Sequence, residues 1–199
     1  MRAAEADILI LPGYSGGTPA HWYSRWATRL STARRIEQSE WHKPRRDDWA
    51  ATIVEATRRG DRPIVCIAHS LGVVALLHAA PQMSDAVAGA FLVAPPSDAA
   101  LRELAAGRDP ESAERAALPD GRRIDPAFFP IPRARLPFPS VLVGGEGDPY
   151  AEAGFASGLA QDIGARFIHA GVSGHINPDS GHGPWPEGSL AFAHFMAKL

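Results

Sequence analysis

Ser70 is the residue whose surroundings most clearly suggest nucleophilic chemistry. It is the serine of AHSLG, between an apolar run at 64–68 and a small, helix-like run at 71–80. The stretch resembles the G-x-S-x-G pattern, in which a tight strand-to-helix turn directs the serine hydroxyl outward, and Ala68 stands at the first glycine position. Ser70 would equally suit a helix N-cap, because serine is favoured at that position.

A serine hydroxyl is a weak nucleophile, so the chain must also supply a base and a group that orients it. When the serine comes first along the chain, the expected order is serine, acid, histidine. Asp148 lies just beyond the apolar run 141–143, and His175 lies in a loop beyond the run 166–170. These residues are the predicted acid and base. Asp148 would also suit a helix N-cap, because Pro149 follows it.

The loop after the last apolar run holds a second histidine and an aspartate. His182 is the second choice as the base. His175, Asp179 and His182 also form an H-x3-D-x2-H cluster, a weak signal for a metal site because no helix holds the ligands on one face. We therefore predict no metal and no cofactor. His69, next to the serine, is predicted either to line the pocket or to be a hydrogen-bonded structural histidine.

An oxyanion that develops on a carbonyl substrate needs N–H donors. Leu71 opens the helix after the serine, and its amide is one predicted donor. The glycine-rich stretch LPGYSGG supplies the second, since Gly13 lets the backbone approach a ligand and Tyr14 offers its N–H. An ordinary turn at Gly13 is the alternative. Trp41 is predicted either to form a wall of an acyl pocket or to belong to the core.

These residues need a scaffold that brings several loops to one edge. Short apolar runs alternate with amphipathic segments, which is typical of a parallel sheet covered by helices on both faces. We predict an α/β fold of three layers with a mostly parallel sheet, in which ligands bind at the carboxyl ends of the strands. The predicted strands are 8–11, 64–68, 88–93, 141–143 and 166–170, with a weaker one at 35–37. The predicted helices are 20–31, 47–59, 71–80, 151–163 and 187–197.

Residues 118–139 interrupt this alternation, because they contain six of the chain's 18 prolines. Proline removes a backbone donor and disfavours helix at the residue before it. We therefore predict an irregular crossover or a cap over one end of the sheet. Too little chain follows for a second core, so residues 1–199 are predicted to form one domain.

Composition narrows the classes of function. The 199 residues are 45% hydrophobic and 21% charged, with a formal net charge of -2. No basic excess points to nucleic acid, and no apolar stretch approaches the roughly 20 residues that span a bilayer. The one cysteine, Cys66, excludes an internal disulfide and is predicted to be a core residue. We predict a cytoplasmic protein that binds neither nucleic acid nor membrane.

Six segments carry a more specific signal when read in order: LPGYSGGTPAHWYSRW, EWHKPRRDDW, AHSLG, AFLVAPP, GDPY and SGHINPDSGHGPWPEG. Together they resemble the small α/β-hydrolases of the retinoblastoma-binding protein nine type, which include bacterial YdeN-like proteins. The resemblance implies a compact serine-hydrolase fold without a large lid domain, in which Ser70 is the nucleophile, Asp148 the acid and His175 the base. It also implies hydrolysis of esters or small amides, without naming a natural substrate.

Two positions depart from this family's pattern. Ala68 replaces the glycine common in the wider elbow pattern, and His182 stands where a more apolar residue is expected. Some members of the family are discussed as binding proteins. Two hypotheses therefore follow: a serine hydrolase acting on a small ester or amide, or a protein-binding module with an idle triad. The sequence does not indicate a protein partner.

Overall fold

The computed structural model describes residues 1–112, 114 and 116–199. Within those residues, six strands form an open sheet, all paired in parallel, in the order β2-β1-β3-β4-β5-β6. The strands are β1 (Asp7–Leu11), β2 (Ala33–Arg35), β3 (Ile64–His69), β4 (Val87–Val93), β5 (Ser140–Glu146) and β6 (Arg166–Val172). The prediction of a mostly parallel sheet is confirmed.

Helices cover both faces of the sheet. They are α1 (Trp22–Arg29), α2 (Arg46–Ala56), α3 (Leu71–Ala79), α4 (Asp98–Ala105), α5 (Phe155–Ile163) and α6 (Pro186–Met196). Successive strand side chains point to opposite faces, so Leu9 and Leu11 pack with the core of α2–α5, whereas Ile8 and Ile10 pack with α1 and α6. This three-layer arrangement was predicted, and the described residues form no large separate domain. None of the helices in the described part of the chain is long and apolar enough to cross a membrane.

The central strand β3 ends at the nucleophile candidate. Every residue of β3 is buried, including Cys66, and burial raises the pKa of the Cys66 thiol to about 12. β2 pairs with one edge of β1, and the chain then returns so that β3 pairs with the other edge of β1. The connections after β1 and β3 therefore leave towards opposite faces, and a crevice opens between them at the carboxyl ends of the strands.

Several element boundaries differ from the predictions. β2 covers 33–35 rather than 35–37, and α5 begins at Phe155 rather than at 151 because Gly154 before it has a left-handed backbone. Helix α4 was not predicted. It begins after Ser97, whose side-chain oxygen accepts a hydrogen bond from the Ala100 N–H at 3.3 Å. The signal for α4 was this N-cap, which follows a Pro-Pro pair.

The proline-rich segment 118–139 is part of the crossover from β4 to β5. It contains two short 3-10 turns, Pro119–Gly121 and Pro126–Phe128. Phe128 and Ile131 are buried in the core on the α2–α5 face. The Ile131 N–H donates to an Asp98 carboxylate oxygen at 2.9 Å, which ties the segment to the start of α4. The segment thus packs against the layer of helices that contains α2–α5.

Two helical glycines give a matched test of the close packing below α3. A Cβ at Gly72 would collide with the carbonyl oxygens of Leu11 and Pro12, whereas a Cβ at Gly158 on α5 would meet nothing within 4 Å. We expect Gly72→Ala to lower the free energy of unfolding by about 1–3 kcal/mol. Gly158→Ala should raise it by about 0.5–1 kcal/mol, because alanine is the better helix former. Chemical denaturation measures both, and equal stability of the two variants would contradict the packing.

Candidate active site

Ser70 occupies a strained turn between β3 and α3. Its backbone has φ 54° and ψ -126°, a region that residues with side chains rarely adopt. The Ser70 N–H donates to the Val93 carbonyl, and the Ser70 carbonyl accepts from the Val73 N–H, both at 2.9 Å. The Ser70 side chain makes no capping hydrogen bond to the helix. The N-cap alternative therefore does not explain this serine, and its hydroxyl is available for another partner.

That partner is a histidine from the last loop of the sheet. His175 Nε2 lies 2.9 Å from Ser70 Oγ, and His175 Nδ1 lies 2.9 and 3.0 Å from the two oxygens of Asp148. An ionised carboxylate only accepts hydrogen bonds, so Nδ1 carries the proton and the Nε2 lone pair faces the serine hydroxyl. The three side chains are all buried. The structure thus brings together the serine, acid and histidine that the sequence singled out.

Asp148 has a second hydrogen bond that fixes its orientation. Its Oδ1 accepts from the Tyr150 N–H at 2.9 Å, so the carboxylate closes a local turn and holds His175 at the same time. It does not cap α5, which begins at Phe155 after Gly154. The helix N-cap alternative for Asp148 is therefore wrong, although the residue does organise its own turn.

The second-choice base and the metal alternative do not fit the structure. His182 Nδ1 lies 3.3 Å from Ser180 Oγ, and its ring packs against Trp185. Among the described residues, no group of three His, Cys, Asp or Glu side chains could hold a metal ion. His175, Asp179 and His182 therefore do not form a ligand set, because the His175 ring is directed towards Asp148 and Ser70.

The loop after β1 passes directly beside the nucleophile candidate. A Cβ at Gly13 would lie 2.8 Å from Ser70 Cβ and 3.3 Å from Ser70 Oγ, so only glycine fits. Tyr14 and Leu71 line the same cavity as Ser70, and neither backbone N–H is paired with another described residue. The Tyr14 hydroxyl donates to the His42 carbonyl at 3.2 Å, and burial raises the pKa of that phenol to about 12.

Trp41 lies outside this cavity. Its ring packs edge-on against Trp49 with centroids 5.5 Å apart, and the Arg35 guanidinium lies 5.1 Å from its centroid. Its carbonyl accepts from the Ser15 N–H at 3.1 Å. The prediction that Trp41 forms a wall of an acyl pocket is therefore wrong, because its ring packs towards α2. The structure supports the other alternative, since Trp41 is partly buried against the core.

The cavity around Ser70 has a volume of about 400 Å³. Its lining includes residues that sequence reasoning did not identify: His21, Tyr23, Asp109, Glu111, Arg122 and Tyr150. The Tyr150 ring lies 4.3 Å from the His175 ring, and burial raises the pKa of its phenol. The only sequence signal for Tyr150 was its place two residues after the predicted acid, and the packing of the ring is a tertiary feature.

Two further imidazoles pack behind His175. His69 and His21 are buried, with ring centroids 4.7 Å apart, and the His69 ring lies 5.0 Å from that of His175. Burial lowers the pKa of His21 to about 3 and lowers the pKa of His69 well below its ordinary value. Both are therefore neutral near pH 7. His69 Nε2 lies 3.0 Å from the His175 carbonyl oxygen, so His69 both lines the cavity and makes a structural hydrogen bond.

Comparison with known proteins identifies the family of the chain. A model of the serine hydrolase family matches residues 8–194. No curated protein sequence matches the chain significantly. The structure of a YdeN-like hydrolase from Pectobacterium atrosepticum is 27% identical, with a TM-score of 0.76, over 96% of this chain and 90% of that one. The resemblance drawn from the sequence motifs is confirmed.

More distant structures share the fold. The ydeN gene product of B. subtilis is 20% identical, with a TM-score of 0.71, over 96% of this chain and 99% of that one. Est1E from Butyrivibrio proteoclasticus, solved with ferulic acid bound, is 15% identical, with a TM-score of 0.69, over 96% of this chain and 88% of that one. These two likenesses support the α/β architecture described above.

Buried neutral histidines make stability depend on pH. The pKa of His21 is about 3 in the folded chain and ordinarily 6.5, so the unfolded chain binds the extra proton between these values. The contribution of neutral His21 to the free energy of unfolding is therefore complete above pH 6.5. It falls by about 1.4 kcal/mol for each pH unit below that value. We expect His21→Phe to lose less stability than the wild type between pH 7.5 and 4.5. Urea unfolding at both pH values measures this, and parallel losses would contradict burial of a neutral His21.

Proposed function

The chain belongs to the serine hydrolase family, and from that premise we propose that it cleaves esters or small amides through an acyl-enzyme intermediate on Ser70. The observation that carries the proposal is the continuous hydrogen-bonded chain from Ser70 Oγ through both nitrogens of His175 to Asp148. A serine becomes nucleophilic when a base accepts its proton, and the base is effective when a third group fixes its tautomer.

In the proposed reaction, Ser70 Oγ forms a bond to the substrate carbonyl carbon while His175 Nε2 takes the hydroxyl proton. The resulting imidazolium is stabilised by Asp148. His175 then returns the proton to the leaving alcohol or amine, and the acyl group stays on Ser70. Water attacks the acyl carbon with His175 again as the base, which releases the acid and restores the serine hydroxyl.

The oxyanion of each tetrahedral intermediate needs donors that are already in place. We assign this role to the backbone N–H groups of Tyr14 and Leu71. Two features support the assignment: Gly13 brings the loop against Ser70, and the amino end of α3 directs its partial positive charge to the same point. One such donor typically stabilises the transition state by about 2.7–4 kcal/mol.

The shape of the site favours a small substrate. The lining of the cavity of about 400 Å³ includes the aromatic residues Tyr14, Tyr23 and Tyr150 and the charged residues Asp109, Glu111 and Arg122. Ligand pockets of this kind suit apolar groups that are oriented by a few polar contacts. We infer that the substrate is a small molecule with an ester or amide bond next to an apolar group. We also infer that residues 1–199 act as a single hydrolase domain, whose reaction uses the chain's own side chains and backbone N–H groups together with water.

Labelling with a fluorophosphonate probe tests this proposal. We expect the wild type to be labelled stoichiometrically on Ser70, because the probe requires an activated serine. Ser70→Ala should abolish labelling, and His175→Ala should reduce it strongly. Asp148→Asn should lower the turnover of a small p-nitrophenyl ester by about 10⁴-fold, because the tautomer of His175 is no longer fixed.

His182→Ala is the matched histidine control, since that side chain lies outside the hydrogen-bonded chain. It should be labelled as fast as the wild type. A folded wild type that does not react would overturn the hydrolase proposal and support the alternative, in which the triad is idle and the protein binds a partner. Turnover that requires a divalent metal and stops with a chelator would also contradict the proposed mechanism.

A further inference from the structure

Two buried side chains hold the backbone of the loop that carries His175. His69 Nε2 lies 3.0 Å from the His175 carbonyl oxygen, and the indole N–H of Trp22 donates to the Ile176 carbonyl at 2.9 Å. A carbonyl only accepts, so His69 Nε2 carries its proton and is the donor. The two donors come from the end of β3 and the start of α1, and they act on consecutive carbonyls.

The loop between these contacts has an unfavourable backbone conformation. Ile176 has φ 48° although it is β-branched, and Gly174 has φ 54°. A β-branched residue in the left-handed region is strained. Such a conformation persists only when surrounding contacts impose it. The strain therefore indicates that the placement of His175 is imposed on the loop by its surroundings.

Anchors on the other side of His175 complete the arrangement. The N–H groups of Ser173 and Gly174 both donate to the Glu146 carbonyl at the end of β5, at 3.2 and 3.1 Å. These bonds fix the loop before His175, whereas His69 and Trp22 fix it at and after His175. The side chains of His69 and Trp22 are both buried, so water does not readily replace their hydrogen bonds to the loop.

We propose that His69 and Trp22 are positioning residues, which hold the His175 backbone so that Nε2 stays within reach of Ser70 Oγ while Nδ1 stays on Asp148. This inference rests on the proposed function. Misplacement of a catalytic group by about 1 Å costs on the order of 100-fold in rate. Two hydrogen bonds that set the loop therefore act on the rate of serine attack more than on substrate affinity.

The neutral state of His69 suits this role. His175 becomes a cation during the proposed reaction, and its ring lies 5.0 Å from that of His69. A second cation at this distance would oppose proton transfer from Ser70. Since burial keeps His69 neutral near pH 7, the residue supplies a hydrogen bond without a competing charge.

Trp22 has a closely matched neighbour for the experiment. Trp26 lies one turn further along α1. Its ring centroid is 4.8 Å from that of Trp22, and its ring stacks on Trp185. Both tryptophans are buried in the same core. Only the Trp22 indole N–H donates to a carbonyl of the His175 loop among the described residues. Replacing either tryptophan by phenylalanine removes similar ring volume, but one replacement alone removes the anchor.

The test measures the inactivation rate constant kinact and the binding constant KI of a fluorophosphonate probe, normalised to folded protein by circular dichroism. We expect Trp22→Phe and His69→Leu to lower kinact by about 10- to 100-fold. KI should be unchanged in Trp22→Phe, because Trp22 is not part of the cavity lining. Trp26→Phe should react like the wild type. His69→Gln should recover most of the loss seen in His69→Leu, because the glutamine amide nitrogen can occupy the place of Nε2.

The outcomes separate this inference from the proposed function. If the wild type reacts and Trp22→Phe reacts at the same rate, the positioning role fails while the hydrolase proposal stands. An equal fall in kinact for Trp26→Phe would assign the effect to core packing and also overturn the positioning role. If the wild type does not react, the proposed function fails and the positioning role fails with it. Where His69→Leu does not fold, the two tryptophan variants decide.

Discussion

Close contact between the loop after β1 and the first turn of α3 is the constraint on which the site depends. Gly72 packs against the Leu11 and Pro12 carbonyls, and Gly13 packs against Ser70. Both approaches are too close for a side chain. They fix the serine hydroxyl and the backbone N–H groups of Tyr14 and Leu71 relative to one another, through backbone atoms that move little. Ser70, with its φ of 54°, lies within this close contact.

The parallel sheet adds the remaining parts to this fixed point. Because all strands run in the same direction, the connections after β1, β3, β5 and β6 meet at one edge. The acid follows β5 and the histidine follows β6, so the order of strands sets the order of the three side chains. Such a site is organised at the expense of stability, since it buries neutral histidines and left-handed backbone that a purely structural turn would avoid.

The sequence identified Ser70, Asp148 and His175 because each follows an apolar run that became a strand. Strand ends are marked by local patterns, and the topology of a parallel sheet brings them together. For Trp41 the sequence left a pocket wall and the core as alternatives. The structure supports the core, and the sequence could not decide because the direction of a ring depends on its neighbours, here Trp49 and Arg35. His21 and Tyr150 were missed for the same reason, since their burial in the cavity arises only when α1 and the loop after β5 pack beside β3. Helix α4 had only a single N-cap as its local signal.

The burial of Cys66 determines how the chain reacts with electrophiles. The thiolate is the reactive form of cysteine, and burial in the middle of β3 raises the pKa of this thiol to about 12. It is the chain's one cysteine. At neutral pH a thiol-directed reagent therefore finds no reactive thiolate, and acylating or phosphonylating reagents meet no thiol that competes with Ser70. The native chain should therefore not react with thiol reagents, and a single cysteine introduced at its surface could be labelled selectively.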